Sequence, residues 1–224
     1  PLIKDLGLLP DDVEKIHKLL WLPQGLILVC GSHGSGKTTM LYTLANELVQ
    51  QHKKIMTLDE SIAYQLKGVH QVQINAQAGL TFAQALQSVL RHKPDVILVG
   101  EIQDQETAEL AIQAATNGRL ILSTLGTNDV LTTITRLKEL GADAQLLASA
   151  LAGVVTQRQV RKICDHCREE YAPAAKILAH IAAQLGEKVA GVFSHGKGCE
   201  TCNYTGYRDQ IGVYHVIMMS PGLR

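Results

Sequence analysis

Eight residues, Gly31-Ser32-His33-Gly34-Ser35-Gly36-Lys37-Thr38, have the spacing G-x-x-x-x-G-K-[ST]. Each residue type in this pattern has a chemical reason. Glycines let backbone approach a polyphosphate and turn N–H groups toward it. The helix that follows offers its positive end to the same phosphates. A lysine placed as Lys37 reaches the β- and γ-phosphates, and a hydroxyl placed as that of Thr38 ligands Mg²⁺. Ser32, His33, Gly34, Ser35, Gly36, Lys37, Thr38 and Thr39 are the candidate nucleotide contacts. A chance match in a glycine-rich loop lacks the right flanks. Here the apolar run Leu26–Cys30 precedes the loop and a stretch with helical apolar spacing, Thr39–Leu48, follows it. Strand, loop and helix form the context that gives the motif its meaning.

Two further groups of residues can do chemistry. Asp59, Glu60 and Glu101 each follow a short apolar run, and in parallel α/β sheets ligands sit at the carboxyl ends of strands. Glu101 is read as a Mg²⁺ acid acting through water, and Asp59 or Glu60 as the group that orients an attacking water. The alternative for all three is a solvated charge at a loop end. Cys164-Asp165-His166-Cys167 and Cys199-Glu200-Thr201-Cys202 are two C-x-x-C pairs. Each supplies two thiolates, and two such pairs close one tetrahedral structural Zn²⁺ site. A redox role explains one pair but not two. His166 is a possible competing ligand, read here as a solvated neighbour. Cys30, alone at a strand end, reads as core.

The elements that must hold these groups follow from periodicity. Pro10-Asp11-Asp12 opens a short amphipathic helix carrying Val13, Ile16, Leu19 and Leu20. Pro23-Gln24-Gly25 turns into the strand Leu26–Cys30. Lys54–Leu58 is the next strand, and Gln71–Ile74 alternates as a half-exposed one. Thr81 caps a helix with Phe82, Leu86, Val89 and Leu90, ended by Pro94. Asp95–Val99 and Leu120–Thr124 are buried strands. Between them an Ala-rich helix begins at Asp104 and closes at Gly118. A further helix spans Asp129–Leu140. Strands alternating with helices imply an α/β domain with a largely parallel sheet. From about Val155 the pattern changes, with a helix expected over Ala174–Leu185 and a strand over Ile211–Met219. The expected division is a core of residues 1–155 and a C-terminal lobe of residues 156–224.

Bulk properties narrow the function classes. The 224 residues suffice for a real core, and no apolar run reaches the length of a membrane span. No signal peptide is visible. Net charge is zero and aromatics are 4%, which argues against a nucleic-acid binder with a basic face and stacking rings. Five cysteines, four of them paired by spacing, suit a reducing cytoplasm with metal better than disulfides. The chain begins at Pro1 rather than Met and is expected to be a piece of a longer protein.

A phosphate loop followed by a four-cysteine lobe resembles the hexameric secretion ATPases, the type II secretion and type IV pilus assembly motors (GspE/PilB-like). Carrying the resemblance are Gly25–Val29 with the loop, Leu80-Thr81-Phe82-Ala83, and Pro94 to Ile102. So do Ser123-Thr124-Leu125, Thr127-Asn128, Gln157-Arg158, Val160-Arg161 and Tyr204–Arg208. It covers nearly the whole chain, from Gly7 onward. The four cysteines set the assembly and secretion motors apart from pilus-retraction relatives, which lack that lobe. The resemblance implies a RecA-like P-loop core that binds ATP, Mg²⁺ and, in the lobe, Zn²⁺. It implies a homo-hexamer in the cytoplasm, peripheral at the inner membrane, working with platform proteins there. ATP hydrolysis would drive assembly of a pilus or pseudopilus. An upstream domain would supply arginines to the nucleotide.

Three motifs depart from that family's pattern. Its Glu-Asp-Pro-Ile-Glu is Asp59-Glu60-Ser61-Ile62-Ala63 here, so its catalytic glutamate falls on Asp59. Its Ser-Thr-Leu-His-Thr has Gly126 in place of histidine. Its Glu-Ile-Arg-Asp reads Glu101-Ile102-Gln103-Asp104. Binding residues are intact and hydrolysis residues altered. A motor ATPase, slow in this chain, is therefore weighed against a nucleotide-binding structural subunit with little or no hydrolysis.

Overall fold

Strand β1 (Gly25–Cys30) carries apolar side chains on both faces, and both faces are covered. Leu26, Leu28 and Cys30 enter one core, while Ile27 and Val29 enter another. That double burial is why the run reads as continuously apolar rather than alternating. The structure is a computed structural model that describes residues 2–187, 191–220 and 222.

In chain order, helix α1 (Pro10–Leu20) starts with proline in its first turn and Asp11 and Asp12 beside it. Helix α2 (Lys37–Val49) follows the phosphate loop directly. Strands β2 (Ile55–Asp59) and β3 (Val69–Gln73) come next, then helix α3 (Phe82–Arg91). Thr81 and Gln84 cap α3 reciprocally, each side chain bonding the other's backbone at 3.2–3.3 Å. Strand β4 (Val96–Val99) leads to helix α4 (Gln105–Thr116), and strand β5 (Leu120–Leu125) to helix α5 (Val130–Glu139). Asp104 and Asp129 cap these two helices by accepting the backbone N–H groups of Thr107 and Thr132, each at 2.8 Å. Helix α6 (Ala144–Ala150) and strand β6 (Leu151–Ile163) follow. Strand β7 (Arg168–Tyr171), helix α7 (Ala175–Leu185), strand β8 (Phe193–Gly196) and strand β9 (Tyr207–Met218) complete the chain.

The main sheet runs in the order β3-β2-β4-β5-β1-β6-β9. The pairs β2–β3, β2–β4, β4–β5, β1–β5 and β1–β6 are parallel, as expected for an α/β fold. One face packs on α3, α4 and α6 through residues such as Leu86, Ala111 and Leu147; the other packs on α1 and α2 through Ile16, Leu19, Leu41 and Leu44.

Differences from the sequence expectation have local causes. Strand β3 begins at Val69, and Ile74 lies buried just past its end. Helix α6 has only seven residues, too few to display a period, and is set by Asp143, whose carboxylate accepts the N–H groups of Gln145 and Leu146. Strand β6 spans the point where the pattern changes. Its first half is buried and its second half exposed, so one continuous strand reads as two kinds of sequence.

The chain forms two compact units. The larger runs to Gln159 and resumes at Gly212, and the smaller comprises Val160–Ile211. The sequence places one boundary, at 155/156; the chain crosses between units twice, because β9 returns to the main sheet beside β6. In the smaller unit β7 and β8 pair antiparallel. No helix among the described residues is long and apolar enough to cross a membrane.

Candidate functional site

Parallel pairing sets the ends of β2, β4 and β5 side by side. The Gly100 N–H donates to the Leu58 carbonyl at 2.8 Å, and the Thr124 hydroxyl donates to the Gly100 carbonyl at 2.7 Å. The phosphate loop leaves the end of the neighbouring β1. Together these ends form a cleft of about 770 Å³ lined by His33, Gly34, Gly36, Lys37, Thr38, Asp59, Glu60, Ser61, Phe82, Gly100, Glu101, Thr124 and Gly126. That volume suits a small-molecule ligand. Of the residues expected to contact nucleotide, Ser32, Ser35 and Thr39 do not line it. Ser35 is buried, and Ser32 contributes its carbonyl to Lys37.

The loop is built for backbone approach. Gly34 and Gly36 have φ of +76° and +89°, and a Cβ on Gly36 would stand 2.8 Å from Gln157 Nε2. Gly36 opens α2, so the helix's first N–H groups face the cleft. Lys37 Nζ donates to the carbonyls of Gly31 and Ser32 at 2.8 and 3.0 Å, which holds its charge over the loop. These residues fit a polyphosphate, and the Thr38 hydroxyl and Glu101 line the same cleft, where they could hold a magnesium ion.

The three carboxylates differ in environment. Glu60 is exposed. Glu101 is half-buried and accepts a hydrogen bond from the Gln103 amide at 3.0 Å. Asp59 is no loop-end charge: it is the last residue of β2, 4% exposed, and its Oδ2 accepts the Tyr42 hydroxyl at 3.2 Å. Burial pushes the Asp59 carboxyl above the usual range, against the lowering effects of the Thr57 and Tyr42 hydroxyls. A carboxylate of raised basicity is better matched to taking a proton near neutral pH. A Cβ at Gly126 would lie 3.8 Å from Glu101 Oε1, so a side chain there would face that acid.

In the smaller unit the four cysteine sulfurs lie within 4.8 Å of one another. The pairs Cys164–Cys199, Cys167–Cys202 and Cys199–Cys202 are 3.9, 3.8 and 3.8 Å apart. A tetrahedron with metal–sulfur bonds of about 2.3 Å has edges of about 3.8 Å, so the donors fit zinc. N–H groups of Cys199 and Gly206 point at the Cys202 sulfur and hold its thiol down to about 6. Burial and the neighbouring sulfurs push Cys167 up, so a cation among them is what would let all four ionise. His166 is exposed and outside the group. Cys30 is core, its sulfur accepting the Thr133 hydroxyl at 3.2 Å.

Residues 2–224 match the family described as Type II/IV secretion system protein. The chain belongs to that family. Type II secretion system protein E of Dickeya dadantii is 40% identical over 99% of this chain and 44% of its own length. The type IV pilus assembly ATPase PilB of Thermus thermophilus is 38% identical over 100% of this chain and 25% of its own. The chain thus spans less than half the length of these relatives. Among solved structures, the pilus retraction motor PilT with bound ADP is 34% identical, with a TM-score of 0.62 over 74% of this chain and 50% of its own. The ATPase DotB of Legionella pneumophila, at 19% identity, shares the fold, with a TM-score of 0.68 over 100% of this chain and 52% of its own.

Two buried residues that support the lining of this family member's cleft escape sequence reasoning. Tyr42 reads as another core position of α2, although a buried tyrosine hydroxyl needs a partner. Gln157, 3% exposed on β6, backs the loop with its carbonyl against Gly31 and its amide against Gly36. The only signal for Gln157 is its place in the motif Gln157-Arg158.

Proposed function

We propose that this chain is the ATP-binding motor portion of a type II secretion or type IV pilus assembly system. Hydrolysis would be coupled to building a pseudopilus or pilus. The observation that carries this reading is one cleft holding Lys37, Thr38, Asp59 and Glu101 together. Lys37 and the α2 N-terminus would grip the phosphates, and Thr38 and Glu101 would hold Mg²⁺. Bound magnesium would neutralise charge on the β- and γ-phosphates. Asp59, with Glu60 beside it, would align water. Identity extending through the cysteine lobe in the secretion and PilB relatives favours assembly over retraction. By that kinship the working form is a cytoplasmic homo-hexamer, peripheral at the inner membrane and engaged with platform proteins. Turnover in this chain is slow, because Asp59 and Gly126 shorten two side chains of the family pattern.

The test is ATP with Mg²⁺. ATP raises the melting temperature by mass action and is hydrolysed to ADP and phosphate. Lys37→Ala removes the charge-assisted contacts and abolishes most of both effects. A shift retained in Lys37→Ala would place nucleotide elsewhere. The second reading, a nucleotide-binding subunit without hydrolysis, is favoured by Gln103: a neutral amide holds Glu101 where the family has a guanidinium. Binding without any phosphate release, in the presence of the partner domains, would select it.

A further inference from the structure

The two oxygens of the Asp59 carboxylate are not equivalent. Oδ2 is taken by the Tyr42 hydroxyl at 3.2 Å. Oδ1 lies toward Gly100, 3.2 Å from where a Cβ on that glycine would stand. Gly100 and Glu101 line the cleft, so Oδ1 is the oxygen on its side. Tyr42 is fully buried, and its ring packs on Tyr64 with centroids 4.8 Å apart, which fixes where its hydroxyl points. Burial and the charge of Asp59 push the Tyr42 phenol up to about 12, so it keeps its proton and donates.

We propose that Tyr42 is a positioning residue for hydrolysis, holding Oδ2 of Asp59 so that Oδ1 faces the attacking water at the Gly100–Glu101 edge of the cleft. This rests on the reading of Asp59 as the group that aligns water. Tyr42 belongs to α2, whose first residue is Lys37. One helix therefore both grips the phosphates and orients the base, with no flexible loop between the two tasks. In the reaction the water oxygen bonds to the γ-phosphorus and the bond from that phosphorus to the bridging oxygen breaks. ADP leaves, and the water proton passes to Oδ1. Tyr42 keeps its own proton throughout.

The experiment is single-turnover Mg·ATP hydrolysis by the whole chain, with the ATP-dependent melting shift measured beside it. The proteins are the parent, Tyr42→Phe, Asp59→Asn and the double variant. Tyr42→Phe removes one oxygen and keeps the ring packing. It is expected to slow the hydrolytic step on the order of 10- to 100-fold, the scale of a misplaced reacting group. KM and the melting shift are expected to stay within about twofold, as for a group acting only in the chemical step. In the Asp59→Asn background the same change is expected to do nothing more, because the partner it acts through is gone. Parent-like hydrolysis by Tyr42→Phe beside a dead Asp59→Asn would overturn the role of Tyr42 alone. Parent-like hydrolysis by Asp59→Asn would overturn the underlying reading of Asp59 as well. An equal loss from Tyr42→Phe in both backgrounds would trace its effect to packing and overturn the proposal. Should Tyr42→Phe fail to fold, fluorotyrosine at position 42 keeps the shape and makes the hydroxyl a stronger donor; an unchanged hydrolysis rate would then count against the bond.

Discussion

Asp59 sits beneath Tyr42 with its carboxyl raised by burial. The folded chain therefore binds this proton more tightly than the unfolded chain does. Stability falls as pH rises from the ordinary carboxylate value of 3.8 through the raised folded value. Asp59→Asn removes the buried charge and keeps the shape. Without nucleotide it is expected to melt above the parent at pH 7, with the gap closing toward pH 4. A gap independent of pH, in melting curves across that range, would mean the carboxylate is not strained by burial. Activity is expected to move the other way, since the same substitution removes the group proposed to align water. The other altered position is Gly126, where an added Cβ would stand 3.8 Å from Glu101 Oε1. Asp59→Glu adds about 1.5 Å of reach, and Gly126→His places a polar group beside Glu101. Phosphate release is expected to rise for Asp59→Glu, alone and with Gly126→His. If both variants bind ATP normally and stay as slow as the parent, the missing side chains are not what limits turnover.

The phosphate loop is legible at the scale of elements because its chemistry is local. Strand, glycines, lysine and helix start lie within one stretch, and the cap formed by Thr81 and Gln84 is equally local. Pairings at a distance that no motif marks are not legible, whereas the two cysteine pairs, 35 residues apart, are. Tyr42 meets Asp59 across 17 residues, and Gln157 meets the loop only because β6 pairs with β1. Helix α6 is too short to show a period, and β6 changes from two-sided burial to exposure along its own length. The packing of β6 against the loop carries its own prediction. Gly36 has φ of +89°, and an added Cβ meets the buried Gln157 amide at 2.8 Å. Left-handed backbone costs a non-glycine residue roughly 1–2 kcal/mol. For a chain of this size that corresponds to a fall of about 2–8 °C in melting temperature. Gly36→Ala is expected to show that fall and to lose the ATP-dependent shift far beyond it. A Gly36→Ala protein with the parent's shift would mean the loop tolerates a side chain against β6.

Each of the molecule's two units is held together by its own means. The larger has two apolar cores, one on each side of its sheet. In the smaller, Cys164, Cys202 and Gly206 are the only buried residues among those described between Val160 and Ile211, and α7 buries none of its side chains. A unit without an apolar core must draw its stability from another source, and small lobes of this kind depend on a bound metal. Three of the sulfur spacings are 3.8–3.9 Å, as a tetrahedral ion requires, and a metal held by all four thiolates would be structural. One zinc per chain is expected after purification under reducing, chelator-free conditions. Cys199→Ser, or a strong chelator, is expected to remove it and to raise amide hydrogen exchange across Val160–Ile211. The ATP-dependent melting shift is expected to survive, because every residue lining the nucleotide cleft belongs to the larger unit. Metal analysis that finds no zinc, or exchange in the smaller unit that is indifferent to the chelator, would mean that something other than these four thiolates holds that unit together.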